Sequence, residues 1–203
     1  MAIATYTDFL NRVKGLSGVF TPSSDQLTYF VHLLNRRAEL AYQATDYWPR
    51  YLVVGETRTV TSNVIPFTES GKPEIDTFLR IHKTYQPFYL YSAQELEYYV
   101  NADGAHLVGD TSPSTSTFVT YKKAWDGPYT NASTNIPYEW LDHTAHAVYA
   151  DYLRQDGQNE KAIAEENIAK GILDDQLQKT DVSRATGMMA HRISTHNSRS
   201  FRR

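Results

Sequence analysis

The hydrophobic period changes twice along the chain, and that change limits the available folds more than any single motif does. At both ends apolar residues recur every three or four positions, as on one side of a helix. Between them the spacing falls toward two, as on one face of a strand. Near the N-terminus Tyr6, Phe9, Leu10 and Val13 predict a short helix over residues 5–14, ended by Gly15 and Gly18. Thr21-Pro22-Ser23-Ser24-Asp25 supplies caps and an early proline for a second helix. Its apolar side runs through Leu27, Phe30, Val31, Leu34, Ala38, Ala41 and Trp48, and its polar side carries Arg36, Arg37 and Glu39. Pro49 stops it by restricting the residue before it.

After Pro49 the segments Tyr51-Leu52-Val53-Val54, Thr57-Arg58-Thr59-Val60-Thr61 and Phe78-Leu79-Arg80-Ile81-His82 are rich in β-branched and aromatic residues, with Gly55, Gly71 and Pro73 between them. They read as strands. Ser92-Ala93-Gln94-Glu95 has the form of a capping box, yet Tyr98-Tyr99-Val100 beyond it favours a strand. A short turn followed by a hairpin fits best. Asp103-Gly104 makes the hairpin turn before Ala105-His106-Leu107-Val108, and a Ser/Thr/Pro loop over 111–117 precedes a strand at Phe118-Val119-Thr120-Tyr121. Gly127-Pro128 and the polar stretch to Asn135 close the region.

Helical spacing returns at Pro137. Tyr138, Leu141, Ala145, Val148, Tyr149 and Tyr152 share one face, and Ala147 and Ala150 leave room for a close neighbour. Gln155-Asp156-Gly157 turns the chain into a last helix over residues 160–177, and so short a turn implies antiparallel helices. The expected fold class is α+β. Helices from 1–49 and 137–179 form one bundle domain, 50–136 is a β-rich insertion, and 180–203 is an extended basic arm.

Charge singles out that arm. The chain has 20 Lys+Arg against 23 Asp+Glu; setting aside the five arginines of residues 182–203 leaves 15 against 23, a body at −8 carrying an arm at +5. The arm has two histidines, no acidic residue, and too few large apolar residues to build a core. Arg184, Arg192, Arg199, Arg202 and Arg203 suit phosphates or carboxylates equally. Met188, Met189, Ile193 and Phe201 favour a groove on a protein, because a purely electrostatic arm has no need of apolar anchors. The 15 tyrosines, apolar in body and polar at the tip, fit a large protein contact area as well as a β-rich domain.

No cysteine occurs, which excludes disulfides, thiolate metal sites and cysteine nucleophiles. The N-terminus lacks the basic start of a secretory signal, and no apolar run has spanning length, so a soluble protein without membrane insertion is expected. One constellation could carry chemistry. Glu139, Asp142, His143 and His146 lie within two helical turns, where a helix could aim them at one metal ion. A di-metal bundle needs a Glu-x-x-His from each of two helices, which is missing, so a polar helix face with i, i+4 hydrogen bonds is favoured. There is no P-loop, G-x-S-x-G or G-x-G-x-x-G. Asp151, Glu165, Glu166, Asp174 and Asp175 make the last helical pair acidic, either a solvated face or a wall that repels DNA phosphates. No catalytic, cofactor or metal residue is assigned.

The order of parts resembles the head-to-tail adaptor proteins of tailed bacteriophages, also called connector or head-completion proteins. The resemblance lies in three stretches: Arg37-Ala38-Glu39-Leu40-Ala41 through Asp46-Tyr47-Trp48-Pro49-Arg50-Tyr51, Phe118-Val119-Thr120-Tyr121-Lys122-Lys123 through Gly127-Pro128-Tyr129, and Thr144-Ala145-His146-Ala147-Val148-Tyr149-Ala150-Asp151 into Asp156-Gly157-Gln158. It implies a non-enzymatic virion structural protein of the neck, in a homo-oligomeric ring of twelve copies beneath the portal protein. The ring extends the DNA channel without sequence-specific binding and gives tail tube or nozzle proteins their platform. The arm, through the nine residues named above, is expected to order on the portal. Two other classes stay open at this point: a metal-dependent helical-bundle enzyme, and a DNA-binding module led by the tail.

Overall fold

Two capping boxes set the N-terminal helices. The computed structural model describes residues 2–18, 22–83, 95–109 and 116–200, the last twenty as backbone only. Helix α1 (Tyr6–Ser17) starts where Thr5 accepts from the Asp8 N–H at 3.1 Å and donates its own N–H to the Asp8 carboxylate at 2.8 Å. Helix α2 (Ser24–Gln43) repeats the device with Ser23 and Gln26. Gly15 lies inside α1, and the helix ends only at Gly18, whose φ of 78° suits glycine. Where the apolar spacing predicts helix to Trp48, α2 is capped at Ala44. Thr45 and Asp46 are poor helix formers, and Trp48 is buried in the turn that follows.

The chain divides into two compact units, Met1–Thr45 with Asp126–Lys179 and Asp46–Trp125 with Thr180–Arg203. In the first, strand β1 (Ile3–Ala4) pairs antiparallel with β8 (Ile136–Pro137), which leads through a 3-10 turn at Tyr138–Trp140 into α3 (Leu141–Gln155). Gly157, with φ 78°, reverses the chain into α4 (Asn159–Ser200). The N-terminal helices and the C-terminal pair pack together, with the β-sheets inserted between them in sequence. Phe9, Val13, Phe30, Leu34, Ala38, Trp140, Ala145 and Val148 are fully buried there, and each large side chain contributes about 1.5–3 kcal/mol by leaving water. Ala162 and Ala169 turn inward on α4. Residues 126–136, assigned by pattern to the β insertion, run with the helices: Asn35 accepts from the Tyr129 N–H at 2.6 Å and donates to the Tyr129 carbonyl at 2.9 Å.

The second unit holds two antiparallel three-stranded sheets. One has β7 (Ser116–Lys123) between β2 (Leu52–Thr59) and β4 (Ile75–His82); the other has β6 (Gly104–Leu107) between β3 (Val64–Pro66) and β5 (Tyr98–Asn101). Ile65, Ile75, Phe78, Ile81, Ala105, Leu107, Val119 and Tyr121 form one apolar cluster there. The two strands predicted on either side of Gly55 are one strand. Gly55, at φ 62°, sits where the register slips between Val53 and Glu56, so it marks a bulge within the strand. The hairpin at 98–107 is present, its closing pair being Asn101 and Gly104. Gly104 cannot be replaced freely, because a Cβ there would stand 2.1 Å from the Ile65 carbonyl oxygen.

The backbone of α4 is helical to Ser200, so the segment read as an arm from residue 180 continues that helix. The arm side chains Arg184, Met188, Met189, Arg192, Ile193, Arg199, Phe201, Arg202 and Arg203 lie outside the described residues, as does the Ser92-Ala93-Gln94 part of the capping-box pattern.

Candidate functional site

Helix α3 carries the residues that sequence spacing offered to a metal, and its packing sends them to separate partners. Asp142 pairs with Arg12 of α1 at 3.3 Å, both half-exposed. The His143 ring is buried and its Nδ1–H donates to the Ala169 carbonyl on α4 at 2.9 Å. His146 donates through Nδ1 to the Glu165 carboxylate at 2.7 Å. Glu139 belongs to the 3-10 turn before the helix. Among the described residues no group of three His, Cys, Asp or Glu is placed to hold one metal ion. The two imidazoles serve instead as clamps between antiparallel helices. Burial is the largest influence on His143 and pushes its pKa down, the Ala169 hydrogen bond opposes it, and Arg37 and His146 add smaller downward pushes.

A charged seam crosses α2, α3 and α4 on the same unit. Arg37 forks onto Asp151, its Nε donating at 2.8 Å and its Nη2 reaching the second carboxylate oxygen, with both side chains little exposed. Glu166 of α4 lies 3.6 Å from Arg37 and closes an ion pair with Arg154, which also stands 3.4 Å from Asp151. Arg154 first, then Arg37, hold the Glu166 carboxyl below its ordinary range. Asp151, Glu165 and Glu166 are therefore internal partners of basic groups. Only Asp174 and Asp175, both exposed, remain of the acidic face read from sequence. Spacing places Arg37 and Asp151 on polar helix faces but cannot say that those faces meet.

The β unit holds a second buried charge, which its sequence hides in a strand pattern. Arg58 is fully buried on β2, with Glu56 at 2.8 Å, the Pro73 carbonyl as acceptor, and a hydrogen bond of 2.5 Å to the Tyr121 hydroxyl. Tyr121 in turn donates to Glu56 at 2.7 Å. Burial, then the Glu56 bond, push the Tyr121 pKa up to about 12. Lys122, also buried, meets Asp46 at 3.3 Å. These contacts fix strands and loops.

On β5, Tyr99 and Val100 are each more than half exposed, and the Tyr99 ring stacks on His106 with centroids 4.9 Å apart. His106 is anchored in turn by Asp103 at 2.7 Å. No helix among the described residues is long and apolar enough to cross a membrane. No protein-family model matches the chain, and no curated protein matches it.

Proposed function

We propose that the chain is a structural protein of a tailed-phage neck, a head-to-tail adaptor that attaches to the portal as a ring and extends the DNA channel toward the tail. The observation that supports this most is the packing of helices from both ends of the sequence into one unit whose last helix carries directly into the acid-free segment. The cationic segment continues α4, the helix that His143, His146 and Arg154 tie to α3, which supports reading it as an arm. The three stretches that resemble adaptors are scaffold elements here: the end of α2, the central strand β7, and the buried face of α3 with its Gly157 turn.

On this proposal Arg184, Arg192, Arg199, Arg202 and Arg203 meet carboxylates of the portal, and Met188, Met189, Ile193 and Phe201 fill its grooves. Twelve weak arm contacts in one ring act together, so each can be modest. The test compares the full chain with a version lacking residues 182–203, each mixed with portal protein and weighed by native mass measurement. The full chain is expected to join the portal and the shortened chain to remain free with its cooperative thermal unfolding preserved. Equal attachment of both would discard the arm, and attachment of neither would discard the portal as partner.

A further inference from the structure

We draw no further inference here: the strongest candidate, the crevice between the first turn of α2 and the end of α3 where Asp25 and Asp156 stand beside Tyr29 and Tyr152, is a pair of exposed carboxylates at a helix start, and nothing in the structure shows what covers it.

Discussion

The His143 ring donates its Nδ1 proton to the Ala169 carbonyl at 2.9 Å, tying α3 to α4 through an imidazole that is only 7% exposed. A carbonyl can only accept, so in the neutral ring Nε2 carries no proton. Burial holds the folded pKa below the ordinary value of 6.5, whereas the unfolded chain takes up a proton near that value. The stabilisation is complete above the unfolded pKa and is lost as pH falls through the folded one. The thermal midpoint of the helical signal should therefore drop between neutral pH and pH 5, by more than in His143→Gln, which keeps an N–H donor without the titration. His82 in the β unit shifts in the same direction through burial, so the comparison is made at the helical signal.

The Arg37–Asp151 fork is expected to carry most of the seam's stability. Asp151→Ala leaves a little-exposed guanidinium short of its main partner, and a loss of about 2–3 kcal/mol in chemical unfolding is expected. Arg154→Ala removes a group that is 38% exposed, for which less than about 1 kcal/mol is expected. Equal losses would mean that the Arg154–Glu166 pair carries as much of the seam as the fork does.

Tyr121→Phe tests the buried network of the β unit. The hydroxyl accepts from Arg58 and donates to Glu56, so its removal leaves both charged groups short of a partner at a cost of roughly 1–3 kcal/mol. With the Tyr121 pKa near 12, ultraviolet titration should show one phenol fewer among the latest to ionise in the variant.

Gly104→Ala should be far more damaging than its size suggests. Its φ of 146° and the Ile65 carbonyl beneath it leave a methyl group nowhere to go, and a loss of about 3 kcal/mol or more is expected. Gly71→Ala, with open space around it but a φ of 80°, separates backbone strain from collision and should cost less.

Elements with a strong repeat are legible in the sequence, as α1, α2, α3, β4 and β7 are. Elements set by partners are not. The pairing of Ile3–Ala4 with Ile136–Pro137 is two residues long and carries no periodicity. The turn at Ser62 and Asn63 lacks the glycine that marks most hairpins, although φ values of 51° and 65° make it one, so β3 went unread. Gly55 and Gly15 appear as breaks because glycine usually is one; neighbouring strand and helix hold them inside their elements. The same limit applies to the site residues. Asp142, His143 and His146 do share α3, with Glu139 in the 3-10 turn before it, but spacing within a helix cannot foresee the other helices that claim Asp142, His143 and His146.

The clasp between β1 and β8 sets an order of events on the ribosome. Ala4 lies opposite Ile136, and the Tyr6 N–H reaches the Ser133 carbonyl at 2.9 Å, so α1 and α2 emerge long before the residues that bury them. At about 5–20 residues per second the first helices wait several seconds for α3, while every strand of the two sheets is already available to pair. Released fragments ending before residue 137 should hold a protease-resistant 46–125 segment beside cleavable N-terminal helices. The helical unit is thus the last part of the protein to close, although its sequence is the first to be made.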